Sequence, residues 1–527
     1  MLTIQPSSPS KTYLLVASGI LAVLAIRRLA EASRRAKIDA ALPPSPPGLP
    51  IIGNIHQLSG NPPEIVFTEM SKELGPIFTL KMGVQRWIVL NSIEVVKDLI
   101  VERGTIYSSR SLSDVSIALA RGDQGAQIPF MTYGEEWKEI RRIAHSALTK
   151  TKINNYQRTI NVRTNAMLKS LYEASRSSPD SAVNPAEIFD FYTVSTIFAI
   201  IYGVDIEPND ERIKKCNQVG HDVLMLITPS EQLAEFLPVL KILRRETLRR
   251  AIQVRDNLER FWGEQVFGLK KRLQEGTTIE SVMGQIMTSR GSEHLSDLQL
   301  THIGSVLSFA GSEAMSITMR WLCAVLAHYP EVQEKAFAEI EHVVGHNRLP
   351  NESDEERLQY VQCIILEILR YRAAAPVSIP HATSKDDTYR GYTIPKGTTI
   401  VINIHAIHHD PKRYPNPEVF SPERHMDYVL TTNKSTPEFS ERPHLAFSTG
   451  RRVCVGMNVA ERVLFIGIVR FLACFRVEFA TDARGERVPV EIVKYKVGNG
   501  ATCIPLQYKV KIVPRHGGVA GLVGSEL

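Results

Sequence analysis

Phe447-Ser448-Thr449-Gly450-Arg451-Arg452-Val453-Cys454-Val455-Gly456 is the stretch that decides how this chain is read. A single cysteine stands among two glycines and two arginines. Gly450 and Gly456 allow backbone angles that a side chain forbids, so a strand–loop–helix turn can press against a flat partner. The apolar, helix-periodic run Val459 to Phe475 begins just beyond Cys454. The free N–H groups and positive end of that helix predict a stabilised thiolate with a lowered pKa. Arg452, two residues before the cysteine, offers a guanidinium able to hold a carboxylate. An isolated cysteine is most often a small buried hydrophobe. These neighbours instead make Cys454 a candidate metal ligand.

The ten residues fit F-x-x-G-x-R-x-C-x-G and resemble the haem-binding loop of the cytochrome P450 superfamily. The resemblance implies a haem b cofactor with Cys454 as its axial thiolate, which pushes electron density onto iron. It implies that Phe447, Gly450, Arg452 and Gly456 shape the cofactor site. The implied fold is α+β but mainly α, a helix-rich triangular prism with a small β region.

Composition agrees with a globular body. Of 527 residues, 43% are hydrophobic and 22% charged, and no Gly/Ser linker or repeat follows residue 50. One large catalytic domain over 51–527 is therefore expected. The 62 basic and 56 acidic residues leave a mild +6 with no basic run, which argues against a nucleic-acid partner. Six scattered cysteines without a C-x-x-C pair fit a reduced compartment rather than a disulfide scaffold.

The N-terminus differs from the body. After a short tail, 1–11, the segment Thr12 to Ile26 is uncharged and mostly apolar, and Arg27, Arg28, Arg34 and Arg35 follow it. Basic residues after the apolar run, rather than before it, favour a membrane anchor over 12–30 against a cleaved signal peptide. That orientation puts the body in the cytosol. A basic and proline-rich hinge, 31–50, includes Leu42-Pro43-Pro44-Ser45-Pro46-Pro47-Gly48-Leu49-Pro50, a stiff spacer. It resembles the hinge of microsomal family members and implies a single-pass protein of the endoplasmic reticulum membrane.

Further motifs extend the resemblance. Glu367-Ile368-Leu369-Arg370 puts both charges on one helix face, and with Arg424 of Pro422-Glu423-Arg424 it resembles the family's buried structural triad. His425 stands where the family's P-E-R-F has Phe. Trp137-Lys138-Glu139-Ile140-Arg141 resembles the W-x-x-x-R helix, whose arginine and indole reach a haem propionate. His381 is placed as a third propionate contact. His405, His408 and His409 lie in a segment that reads as a strand running into a turn, and no second metal is assigned to them.

Ser296 to Tyr329 predicts one long helix, opened by a capping box at Ser296 and Gln299 and stopped by Pro330. Within it, Ala310-Gly311-Ser312-Glu313 resembles the oxygen-activation motif A-G-x-D/E-T, but Ala314 occupies the threonine position. Glu313, Gly311, Ala310 and Thr318 are the catalytic candidates here, with Ser312, Ser316 and Thr318 as anchors for a water chain.

The resemblance covers about residues 43 to 515. It implies a monooxygenase that inserts one atom of O2 into an apolar or polycyclic small molecule. Electrons would come from NADPH through NADPH-cytochrome P450 reductase, with cytochrome b5 as a further partner, since no flavin or dinucleotide motif appears in the chain. The run Asp410 to Phe420 resembles fungal secondary-metabolism members. Ala314 keeps a second reading open, a haem-thiolate isomerase or dehydratase that needs no O2. A non-catalytic haem binder is the third.

Overall fold

The computed structural model describes residues 41–122, 125–177, 182–228, 231, 233–277, 280–432, 437–498 and 502–524. Helices dominate and short strands gather in small sheets, as the mainly α expectation required. The expected tail, the anchor at 12–30 and the hinge as far as residue 40 lie outside the described residues. No helix among the described residues is long and apolar enough to cross a membrane.

Helix α1, Pro63–Leu74, starts on a proline whose missing N–H would have had no partner there. Strands β1, Ile77–Met82, and β2, Gln85–Leu90, form a hairpin with Met82 opposite Gln85. Its two-residue loop needs a positive φ, and Gly83 has φ 57°. A Cβ there would also lie 2.0 Å from the Phe236 carbonyl oxygen. Strands β3, Ser109–Arg110, β4, His381–Ala382, and β5, Thr399–Ile402, complete the sheet in the order β1-β2-β5-β4-β3. Only β2 and β5 run parallel. The register sets Arg110 opposite His381, which places two basic side chains at one sheet edge.

The helical body follows a simple plan. Helix α2, Asp114–Ala120, is capped by Ser113, whose hydroxyl accepts from the Ser116 N–H. Helix α3, Glu135–Ala147, buries Trp137, Ile140 and Ala144 on one face. Helix α4, Ala186–Tyr202, is apolar nearly all round, and from Phe191 to Tyr202 it is continuously buried. Helix α5, Glu211–Leu226, precedes the long α6, Lys241–Gln274. Helix α7, Asp297–Leu326, packs on both α4 and α6. Its capping box is present in both directions: Gln299 N–H donates to Ser296 Oγ at 3.2 Å, and Ser296 N–H to Gln299 Oε1 at 3.0 Å.

Helix α8, Gln359–Tyr371, carries the charge network that fixes the next segments. Glu367 is fully buried, and its two oxygens accept from five donors. These are Arg370 Nε and Nη2 at 2.8 Å each, the Ser421 N–H at 3.0 Å, Arg424 Nε at 3.1 Å and His425 Nε2 at 2.7 Å. The expected trio is thus a quartet, and the histidine in place of Phe is one of its donors. Burial alone would raise the Glu367 carboxyl, but hydrogen bonds from Arg370 and His425 outweigh it and hold the group at about 2.

The strand-and-turn reading of residues 404–409 is corrected. Strand β5 ends at Ile402, and Asn403 caps a short helix, α9, Ile404–His408, by accepting from the Ala406 N–H. His408 Nδ1 donates to the Arg370 carbonyl at 3.0 Å, and its Nε2 accepts from the Leu445 N–H at 2.7 Å. His405 and His409 stack with ring centroids 4.0 Å apart. Helix α10, Met457–Cys474, closes the core beside α8.

Removing one partner of a buried ion pair costs several kcal/mol, because the other charge stays buried. Glu367→Ala should therefore destabilise the protein by about 3–5 kcal/mol in urea unfolding. His425→Phe leaves four donors on Glu367 and should cost no more than about 1–3 kcal/mol. The folded pKa of Glu367 lies below the ordinary 4.5. Its contribution is then present above pH 4.5 and lost as pH falls toward about 2. The stability gap between the wild type and Glu367→Gln should narrow over that interval.

Candidate active site

Cys454 lies between a 3-10 turn, Gly450–Arg452, and the start of α10. Its N–H donates to the Phe447 carbonyl at 2.9 Å and closes the loop. No strand precedes the loop; residues 442–449 run irregularly into it. Gly450 has φ 64°, and a Cβ there would sit 2.6 Å from the Ile100 carbonyl oxygen, so both angle and space demand glycine. Gly456 corrects the expectation of a special angle. Its φ is −90°, and a Cβ would lie 3.9 Å from the Cys454 sulfur. There, neither the angle nor the space demands glycine.

Cys454 has exposed surface and lines a cavity of about 480 Å³ with Trp137, Arg141, His145, Val453 and Met457. Desolvation by the surrounding protein pushes the thiol pKa up, against the pull of the N–H at Gly456 and of the Arg141 charge. The expected lowering by the helix end is therefore corrected: desolvation outweighs it. A metal cation is what would keep this sulfur a thiolate.

Four basic groups converge beside the loop. Arg452 donates from Nε to the Ser108 carbonyl at 2.8 Å, from Nη1 to Ile128 at 3.1 Å and from Nη2 to Met131 at 2.7 Å. Arg110 donates to the carbonyls of Pro129 and Ile379, both at 2.8 Å. Arg141, one turn after Trp137 on α3, donates to the Val453 carbonyl. The guanidinium groups of Arg452 and Arg141 both lie over the Trp137 ring, at 4.2 and 5.3 Å from its centroid. The Trp137 indole N–H donates to the Ile128 carbonyl at 3.2 Å, so it is spent on the backbone and does not point to a carboxylate as expected.

His381 completes the group as a neutral ring. It is buried, and its Nδ1 donates to the Tyr107 carbonyl at 2.8 Å. Burial and the charges of Arg110 and Arg452 press it well below the usual histidine range. Its expected contact with a carboxylate would require protonation of Nε2. Burial and the Arg141 charge likewise push Arg452 down to about 9, and burial with both other guanidinium groups lowers Arg110 as well.

Among the described residues no carboxylate pairs with Arg110, Arg141 or Arg452. A cluster of like charges in low dielectric is the complement of a ligand with more than one negative charge. The two propionates of a haem fit that description, and a cysteine lining the adjoining cavity fits its metal. Arg110 belongs to no motif in the sequence. Only the pairing of β3 with β4 brings it here.

Helix α7 carries the candidates for oxygen activation. Beyond its first turn, Ala310 and Ala314 are its only exposed residues among those described, one turn apart on one face. Ser312, Ser316 and Thr318 are buried, and each hydroxyl is already donating. Ser312 donates to the Ser308 carbonyl at 2.9 Å, Ser316 to Asp190 at 2.5 Å and Thr318 to the Ala314 carbonyl at 2.9 Å. As anchors for water they can only accept. Gly311 packs against Ile197, which a Cβ would approach to 3.3 Å. Burial pushes the Glu313 carboxyl up to about 7, Arg320 opposing and Asp190 adding to the shift.

Comparison with known proteins agrees with this geometry. Residues 43–498 match the family described as Cytochrome P450. A cytochrome P450 monooxygenase of Armillaria gallica is 30% identical over 98% of this chain and 97% of its own. The cytochrome P450 monooxygenase fogE of Aspergillus ruber is 31% identical over 97% of this chain and 94% of its own. A zebrafish cytochrome P450 solved with progesterone superposes with a TM-score of 0.70 at 26% identity, covering 86% of this chain and all of that one. The chain belongs to the cytochrome P450 family. It is an oxidoreductase of the monooxygenase type, and its cofactor is the family's haem, iron held by a cysteine thiolate.

One charge-assisted hydrogen bond to a propionate is worth roughly a factor of ten in retention. Arg110→Leu should accelerate haem transfer to apomyoglobin by about that factor with the far-ultraviolet circular dichroism unchanged. A transfer rate equal to the wild type would remove Arg110 from the site.

Proposed function

We propose that Cys454 would ligate the iron of haem b, that Arg110, Arg141 and Arg452 would hold its propionates, and that the chain oxygenates an apolar or polycyclic small molecule. The convergence of three guanidinium groups, without a carboxylate, beside a cavity-lining cysteine carries this reading. Phe447, Gly450 and Gly456 shape the loop, the Trp137 ring lies against Arg452 and Arg141, and His381 borders the set. When bound, the haem supplies reductive activation of O2, one atom going to substrate and one to water, at the expense of two electrons and two protons. NADPH-cytochrome P450 reductase would supply the electrons, with cytochrome b5 as a second donor. The run Asp410 to Phe420 supports a role in fungal secondary metabolism.

The protein's part in proton delivery falls to Glu313. A carboxyl held at about 7 carries a proton for roughly half the time at neutral pH and can release it without a large barrier. Ala310 and Ala314 leave room for water at the exposed face of α7, and Gly311 allows that turn to lie close to α4. Thr318, one turn past Ala314 on the same face, offers a lone pair to that water, while Ser312 and Ser316 are buried on the far side of the helix. Ala314 offers no hydroxyl, so Glu313 acts through water.

A membrane location is part of the same proposal. Leu49, Ile51, Val84 and Val239 are exposed apolar residues, from 51% to 80% accessible. The Val84 N–H donates to the Phe236 carbonyl and the Gly83 N–H to Ile52, which brings these segments to one corner of the body. Such a patch suits a bilayer surface beside an N-terminal anchor in the endoplasmic reticulum, with the body cytosolic.

Two tests bear on the reading. Cys454→Ser should abolish the long-wavelength Soret band of the reduced carbon monoxide complex while leaving the helical content intact; an unchanged band would overturn the ligand. Glu313→Gln should lower coupled turnover by about a hundredfold, the size of a lost general acid, and flatten the pH profile near 7. Full conversion of a substrate without NADPH and O2 would replace oxygenation by isomerisation or dehydration.

A further inference from the structure

The segment Ala126–Met131 supplies four of the bonds that hold the site's side chains. The Ile128 carbonyl accepts from the Trp137 indole and from Arg452 Nη1, Pro129 accepts from Arg110, and Met131 accepts from Arg452 Nη2. These contacts are only as well placed as the segment itself. Its first residue is pinned from the other side of the molecule. The Ala126 N–H donates to His302 Nδ1 at 3.2 Å. His302 has no exposed side-chain surface and lies on α7, about two turns before Ala310.

The pin is built, not incidental. With Nδ1 accepting, the proton of the neutral ring sits on Nε2 and is donated to Glu259 of α6 at 3.2 Å. Glu259 is gripped by Arg121, at 2.7 and 2.8 Å from Nε and Nη2. Arg121 ends α2 in a left-handed conformation, φ 56°, which is costly for a side-chain-bearing residue. At Gly125 a Cβ would stand 2.0 Å from the Ala120 carbonyl oxygen and 2.6 Å from His302 Nδ1, so only glycine permits the approach. Arg121 and Ala126 therefore both lie on the one His302–Glu259 pair.

We propose that His302 is a positioning residue for the cofactor: by accepting from Ala126 it sets the carbonyls of Ile128, Pro129 and Met131 from which Trp137, Arg110 and Arg452 hang. The proposal rests on the reading that those arginines hold the haem propionates. It also makes the grip depend on the charge of His302. A protonated ring turns Nδ1 into a donor facing the Ala126 N–H, and that bond cannot survive. The charged groups facing the ring are Glu259 and Arg255 of α6 and Arg121 at the end of α2, with Asp256 between the two arginines. Burial first, then Arg121 and Arg255, lower the His302 pKa, while Glu259 raises it and the net is downward. The pin therefore holds at neutral pH and fails below the ordinary histidine range.

The test compares His302→Asn with His302→Phe in the full-length holoprotein. The Asn amide oxygen can stand where Nδ1 stands and accept from Ala126, whereas Phe fills the space and accepts nothing. Haem transfer to apomyoglobin and hydrogen exchange of Ala126–Met131 are measured from neutral pH down through and below the ordinary histidine range. Phe should accelerate both by about tenfold or more, and Asn should stay within about threefold of wild type. The wild type should lose haem faster as pH falls, and Asn should not. Equal behaviour of Phe and wild type, or equal loss in Asn and Phe, overturns the proposal. If Phe does not fold, the pH comparison of Asn with wild type decides. A chain that binds no haem refutes the cofactor reading, while the exchange of Ala126–Met131 still decides whether His302 holds the segment.

Discussion

Glu367 is a carboxylate without solvent, and its need for donors organises the half of the molecule that presents the cysteine. Arg370 reaches it from the same helix, while Ser421, Arg424 and His425 come to it from a segment fifty residues away. Any one of these partners left alone would be a buried unpaired charge or polar group, so the segment is held in one place. From there the order passes on. Arg370 donates to the His408 carbonyl, and His408 binds the Leu445 N–H, two residues before Phe447. The cysteine loop is thus aimed by charge satisfaction at least as much as by apolar packing.

Helix α7 does two jobs that conflict in an ordinary core helix. One face presents Ala310 and Ala314 to open space, while Ser305, Ser308, Ser312 and Ser316 are buried on the far side of a helix that packs against α4, α5 and α6. The serines whose bonds are visible return their protons to the helix's own carbonyls or to Asp190, which removes the desolvation penalty but adds little stability. Within this helix two polar residues, His302 and Glu313, keep unusual proton affinities. Both are perturbed chiefly by burial, in the directions expected for a base and an acid respectively.

The backbone carbonyls of residues 128–131 play the part that carboxylates play in a surface ion pair. Carbonyl dipoles orient guanidinium groups without neutralising them. Arg452 and Arg110 therefore remain charged yet fixed, and their positive field is available to a ligand. Pairing them with aspartate or glutamate would have held them equally well and cancelled that field.

Much of this was legible along the chain. The loop around Cys454, the E-x-x-R pair, the W-x-x-x-R helix and the capped long helix are local patterns, in which spacing alone sets which side chains share a face. Other features were not legible, because they depend on contacts between residues far apart in sequence. Arg110 is an arginine in an unremarkable run until β3 pairs with β4; His425 looks like a departure from a motif until it meets Glu367; His302 is one polar residue in an apolar helix until Ala126 arrives. The proton affinities of Cys454, Glu313 and His381 were beyond the sequence for the same reason. Local pattern determines which chemistry a chain can attempt, while burial and long-range pairing set the charge of each group, since desolvation is a property of the fold as a whole.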